Sequence, residues 1–236
     1  EKVVITSDVQ AVGKRAFANC FNLKEVVFEE GCVPTIGVAA FSGCYSLETA
    51  KLPSLLAPNA KGYYVINEQL FDGCRNLKNV TLPQNTTNIG KEDGNTGYAY
   101  TFRNCFALEE LKLPATLKVI GAEVFEFSGL KSIVIPASVE KIGGSKAFYE
   151  CRDLETVTFE NAANINSLGS STFAGCTSLK SVNLSALKIT SAPSSLFQNC
   201  ASLESVVLPD CFTGVGSSMF EGCSSLTSIK IPASAT

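Results

Sequence analysis

The chain has 236 residues, a formal net charge of −3, a pI of about 5.2 and no histidine. The weak acidic balance leaves no basic stripe to neutralise phosphates, so nucleic acid is not an expected partner. The missing histidine removes Ser-His-Asp and Cys-His nucleophile systems and histidine-containing zinc sites, and no apolar run approaches the roughly 20 residues that span a bilayer.

The first residues, EKVVITSDVQ, lack the zones of a signal peptide. Val3-Val4-Ile5 instead matches the end of a unit that recurs to the last residues. The first complete copy, AFANCFNLKEVVF (16–28), has the same form as AFYECRDLETVTF (147–159). Its phenylalanine column is Phe17, Phe41, Phe71, Phe102, Phe125, Phe148, Phe173, Phe197 and Phe220, at spacings of 23–31 residues. Three residues on come Cys20, Cys44, Cys74, Cys105, Ser128, Cys151, Cys176, Cys200 and Cys223. A leucine column follows, from Leu23 to Leu226. Residues 1–236 therefore read as one domain, a partial repeat and nine repeats, with longer units at 41–70 and 71–101. The fifth unit is one residue short between Phe125 and Leu130.

Within each unit, L-x-x-V-x-L-P alternates apolar residues and predicts a short half-buried strand. The proline cannot donate to a ladder and ends it. A turn and an apolar-Gly pair follow, as in Ile36-Gly37, Ile120-Gly121 and Ile142-Gly143; the pair is missing near Ala192. A short helical or turn segment then carries the phenylalanine. Gly or Asn before the cysteine (Asn19, Gly43, Gly73, Asn104, Gly175, Asn199, Gly222) predicts a positive φ there. One unit cannot bury its own apolar side, but units stacked in register share a core. The expected fold is a solenoid with one short parallel strand per repeat of about 23 residues, short helices or turns opposite, and one long sheet.

The pattern L-x-x-V-x-L-P…I-G-x-x-A-F-x-x-C resembles the BspA-like leucine-rich repeat, the Treponema pallidum type, over essentially the whole chain. The resemblance implies a cell-surface or secreted protein that binds an extracellular protein or glycan. A chain that starts inside a strand and stops at IPASAT just after one is also expected to be a piece of a longer array.

The cysteines come one per unit along the axis, which does not converge ligands on a metal. Parallel stacked side chains hold neighbouring Cβ atoms about one strand spacing apart, wider than a disulfide prefers. Cys32 and Cys211, off the pattern, are seven units apart and cannot pair. The expected role is packing, with buried, unreactive thiols. After the repeat leucine, Glu1, Lys24, Glu48, Lys78, Glu109, Lys131, Glu155, Lys180 and Glu204 alternate in sign. Stacked in register, each would face opposite charges, and a slip by one unit would set like charges face to face.

Outward strand positions, Lys51, Thr81, Lys112, Val134, Thr158, Asn183, Val207 and Lys230, carry no aromatic anchor. The position after the cysteine differs: Phe21, Tyr45, Arg75 and Phe106 precede Gly129, Arg152, Thr177, Ala201 and Ser224. The same half holds the expanded loops with Tyr63 and Tyr64 (52–67) and Tyr98 and Tyr100 (90–102). Tyrosine supplies contact area at low entropic cost, and solenoid insertions tend to carry function. The candidate ligand-binding residues are therefore Phe21, Tyr45, Tyr63, Tyr64, Arg75, Tyr98, Tyr100 and Phe106. The competing reading is that these rings only cover the core. Glu92, Asp93 and Asn95 do not match the spacing of a calcium-binding EF-hand. No catalytic residue, metal or cofactor is expected, because neither a phosphate-cradling loop nor a convergent carboxylate pair stands out. The expected function is a non-enzymatic binding or adhesion module, and the alternative is a structural spacer in a larger surface protein.

Overall fold

The computed structural model describes residues 1–91 and 97–235. The alternating V-x-[FLI] segments form strands that pair in parallel with the next unit. Lys2–Ile5 (β1), Glu25–Phe28 (β3), Thr49–Lys51 (β5) and Asn79–Thr81 (β7) make one four-stranded sheet. Ser132–Ile135 (β10), Thr156–Phe159 (β12), Ser181–Asn183 (β14) and Ser205–Val207 (β15) make another. Register follows the repeat: Val3 sits opposite Val26, and Ile133 opposite Val157.

A second column of strands arises from the apolar-Gly pairs, where the sequence reading placed only a turn. Ala11–Val12 (β2) pairs with Thr35–Ile36 (β4). Val65–Ile66 (β6), Asn88–Ile89 (β8), Val119–Ile120 (β9), Lys141–Ser145 (β11) and Ser167–Ser170 (β13) form a five-stranded parallel sheet. This column breaks at the expanded loop before β6. Among the described residues it ends at β13, just before the unit that lacks its Ile-Gly pair.

The single long sheet expected from the repeat is divided in two. Residues 108–114 pair as a strand with neither β7 nor β10. On the β10 side the cause lies in the shortened fifth unit. At Gly129 the backbones pinch together, with its N–H donating to the Cys105 carbonyl at 3.1 Å. The Lys131 N–H still reaches the Glu109 carbonyl at 2.9 Å. Beyond that point the chains splay, and a cleft of about 390 Å³ opens between Glu110–Leu113 and Ser132–Val134.

The phenylalanine segments are turns, and the backbone shows why they are not helices. In all nine units the residues two before and two after the phenylalanine have positive φ, as at Arg15 (57°) and Asn19 (61°). Alternation of handedness forbids a helix. It aims alternate N–H groups at the next unit instead. Arg15, Phe17 and Asn19 donate to the carbonyls of Val38, Ala40 and Ser42 at 2.8–3.0 Å, and this ladder repeats unit by unit. The sole helical turn among the described residues is the 3-10 segment Ala162–Asn164, capped by the Asn161 side chain.

Inside, the nine phenylalanine rings form one continuous stack, with centroids 5.1–5.8 Å apart and planes within 5–22°. The seven rings from Phe41 to Phe197 are fully buried. Beside them runs a thiol ladder. Cys44, Cys74, Cys105, Cys151, Cys176, Cys200 and Cys223 each donate S–H to the carbonyl of the preceding unit's phenylalanine, at 2.9–3.2 Å. Each of these carbonyls also accepts the backbone N–H three residues on, as from Cys20 to Phe17 at 3.2 Å, so the small buried thiol takes its second lone pair. Ser128 takes the same slot and contacts the Cys151 sulfur at 3.3 Å.

All ten cysteines are free thiols. Burial pushes the column thiols up, to about 11 at Cys44 and about 12 at Cys151 and Cys200. Cys20 departs from the expectation of uniform burial: it is exposed, and Cys223 is half-buried. An alkylating reagent is therefore expected to label Cys20 first and Cys211 and Cys223 more slowly. The seven buried thiols are expected to react only on unfolding. Native labelling of Cys105 at the rate of Cys20 would contradict the ladder.

The alternating charges meet as the register requires. Lys24 contacts Glu1 at 3.6 Å, Lys78 Glu48 at 3.5 Å, Lys131 Glu109 at 2.8 Å and Lys180 Glu155 at 3.2 Å. Among the described residues each lysine closes onto the glutamate of the preceding unit, rather than bridging glutamates on both sides as expected. One ammonium on a flexible stem satisfies one partner at a time. These exposed pairs contribute more to register than to stability.

Candidate functional site

The residue after each cysteine leaves the turn at the solenoid surface, so side chains in this column stack outside the thiol ladder. The Phe21 and Tyr45 rings lie 5.1 Å apart at 24°, and the Arg75 guanidinium sits 5.1 Å from the Tyr45 ring centre. Phe106 is next and has half its surface exposed (54%). A strip of flat groups with negative π faces and one cation runs along this edge, a chemistry suited to aromatic, cationic or ring-bearing ligands. The strip stops at Gly129. A Cβ there would lie 1.9 Å from the Phe106 carbonyl oxygen, so no larger residue fits. A cavity of about 330 Å³ occupies that gap, lined by Phe106, Phe127, Gly129, Glu150, Arg152 and Asp153.

The tyrosines of the expanded loops divide between surface and core. Tyr63 is exposed beside an Asn59-centred turn, whereas Tyr64 packs against the core. Tyr98 is exposed and stacks on Tyr100 at 5.3 Å. Tyr100 is half-buried beneath the Arg103 guanidinium, 3.6 Å from the ring centre, and Arg103 forks onto Asp72 at 2.8–2.9 Å. Burial, then a hydrogen bond to Glu123, pushes the Tyr100 phenol up to about 12. Among the described residues the structure joins Phe21, Tyr45 and Arg75, and joins Tyr98 with Tyr100, but shows no contact between these two groups. Glu92, Asp93 and Asn95 lie outside the described residues.

Sequence reasoning missed Phe127, Glu150, Arg152 and Asp153 as cavity walls. The shortened fifth unit and Gly129 in an otherwise aromatic and charged column were the available signals. It also missed the buried carboxylates Glu123 and Glu126 beside Tyr100. The Glu126 carboxyl is pushed up, first by burial and then by neighbouring Glu123, with Arg103 and Lys146 opposing the shift and Asp72 adding to it. The folded chain therefore holds this proton more tightly than the unfolded one. The stability it confers is full below the ordinary glutamate range and is lost as pH rises through the raised value. In Glu126→Gln the fall in unfolding free energy between about pH 4 and pH 7 is expected to flatten; an unchanged slope in urea titrations at both values would contradict this.

Parallel strands, an inter-unit turn ladder and a stacked phenylalanine core define a leucine-rich-repeat solenoid. The BspA type leucine rich repeat region matches residues 1–93, 58–162 and 144–236, and the chain belongs to that family. It is similar to a leucine-rich repeat protein of Bacteroides ovatus, at 30% identity and a TM-score of 0.75. That match covers 96% of this chain and 59% of the other, so the chain spans little more than half that protein's length. It is also similar to the T. pallidum leucine rich repeat protein, at 28% identity and a TM-score of 0.62, covering 75% and 77% of the two chains. A leucine rich cell surface protein of Faecalibacterium prausnitzii shares the fold at 23% identity and a TM-score of 0.57, covering 97% and 78%. No curated protein matches the chain. Among the described residues no helix is long and apolar enough to cross a membrane.

Proposed function

We propose that the chain is a non-enzymatic recognition module of a cell-surface or secreted protein, binding an extracellular protein or glycan through the strip Phe21–Tyr45–Arg75–Phe106. The observation that carries this is the exposure of three aromatic rings in one column. Phe21, Tyr45 and Phe106 each show 43–54% of their surface to solvent in a solenoid whose structural aromatics are buried. Covering the core does not require these rings, because the equivalent positions in later units are Thr177, Ala201 and Ser224. The family and the cell-surface description of the F. prausnitzii protein support the placement. Exposed Tyr63 and Tyr98 extend the candidate surface onto the expanded loops. Tyr64 and Tyr100 hold those loops in place.

The test is an array of immobilised matrix proteins and glycans probed with the chain and with a Phe21→Ser/Tyr45→Ser/Arg75→Ser variant. Loss of an aromatic-arginine anchor cluster is expected to weaken capture at least about tenfold. A Thr177→Ala/Ser224→Ala variant is expected to bind as the parent does. Equal capture by parent and strip variant would overturn the strip, and capture of nothing by either would favour the spacer reading.

A further inference from the structure

We infer that the gap at Gly129 is a receptor slot for one aromatic side chain, tyrosine or tryptophan, of a protein partner. This rests on the recognition reading above and narrows its ligand to protein. The column after the cysteine is a ladder of flat groups, with successive rungs at 5.1 Å for both Phe21–Tyr45 and Tyr45–Arg75. Gly129 is the one rung in the ladder's path without a side chain, and Phe106 and Arg152 flank it. In a regular stack, units two apart stand roughly 10 Å from each other. A flat ring needs about 3.5 Å to the neighbour on each side. The cavity between Phe106 and Arg152 therefore has room for one planar group.

The chemistry of the walls selects among planar guests. Phe106 lines the cavity with a half-exposed ring available for offset stacking. Arg152 offers a guanidinium plane, held in orientation by its Nε donating to Glu150 Oε2 at 2.8 Å, for a cation–π contact on the other side. Asp153 adds an exposed carboxylate acceptor for a phenol O–H or an indole N–H. A cationic guest meets Arg152, and an anionic one meets Glu150 and Asp153. The mixed charge thus favours a neutral ring with a polar edge. The volume of about 330 Å³ is at the small end of ligand cavities and suits one side chain rather than a chain segment. Gly129 forms part of the cavity wall as bare backbone, because any Cβ there would strike the Phe106 carbonyl.

The test measures binding of N-acetyl-L-tyrosinamide and N-acetyl-L-tryptophanamide to the whole chain by saturation-transfer NMR, beside N-acetyl-L-leucinamide and methyl β-D-glucopyranoside. The aromatic amides are expected to bind in the millimolar range, and Phe106→Ala and Arg152→Ala each to weaken them about tenfold, as loss of one stacked partner implies. Urea unfolding of each variant checks that the fold is intact, which the exposed positions of both residues favour. Tighter binding of the glucoside would make the slot a glycan subsite and overturn the proposal. So would binding of leucinamide equal to that of the aromatics, or no binding at all. The strip variant Phe21→Ser/Tyr45→Ser/Arg75→Ser separates the two readings. If it still binds the amides while losing array partners, both stand. If the amides fail while the strip governs array capture, the slot alone falls.

Discussion

Phe125→Ala is expected to lower the unfolding free energy by about 3–5 kcal/mol, at the upper end for a single core substitution. The Phe125 ring is fully buried, with Phe102 at 5.5 Å on one side and Phe148 at 5.1 Å on the other. Its loss removes two ring contacts and leaves a cavity that the turn ladder cannot close, because Phe125 N–H and its neighbours are fixed to Ala147 and Tyr149 carbonyls. The position matters as much as the residue. In a solenoid each unit touches only its neighbours, so weakening a central interface uncouples the two halves. Here the first strand column is already divided at residues 108–114. Urea unfolding followed by circular dichroism is therefore expected to show both a lower midpoint and a smaller m-value, or two transitions. Phe17→Ala is the control, since that ring is half-buried and has one stacked neighbour. Equal costs for the two variants would mean that the stack does not transmit stability along the axis.

Gly129→Ala is expected to cost about 1–3 kcal/mol or more, which is large for an added methyl group. The new Cβ would meet backbone atoms, the Phe106 oxygen at 1.9 Å and its carbonyl carbon at 2.7 Å, and no flexible side chain can yield. Relief requires moving the chain that carries the Gly129–Cys105 hydrogen bond, and with it the pinch that positions both the divided sheet and the slot. Gly13→Ala and Gly214→Ala provide the comparison, because an added Cβ meets nothing within 4 Å at either. Those variants are expected to be neutral or slightly stabilising, since alanine restricts the unfolded chain. If all three glycines behaved alike in urea, the pinched fifth unit would be wrong.

The strand, phenylalanine, cysteine and leucine columns were legible because packing in a repeat imposes the same residue at the same place many times. Asn19, Gly43, Gly73, Asn104, Gly175, Asn199 and Gly222 likewise announced their positive φ. The matching position two residues before each phenylalanine did not, being Arg15, Ala39, Gln69, Tyr100, Glu123, Lys146, Ser171, Ser195 and Ser218. None of these favours a left-handed backbone on its own. Of the candidate site, the column of Phe21, Tyr45, Arg75 and Phe106 was visible as composition. Its walls beyond Gly129 were not, because they come from the turns of two different units.

The sequence by itself determined the repeat, the parallel register, the buried columns and the sign alternation on the strand face, since these follow from periodic burial and periodic charge. Only the tertiary structure decided the second strand column, the turns in place of helices, the division of the sheet and the cavity beside Phe106. The physical reason is that each of these depends on hydrogen bonds and van der Waals limits between neighbouring units. At Lys146 or Glu123 the left-handed strain of about 1–2 kcal/mol is offset by an N–H bond to the next unit's carbonyl, a partner that local propensity does not contain.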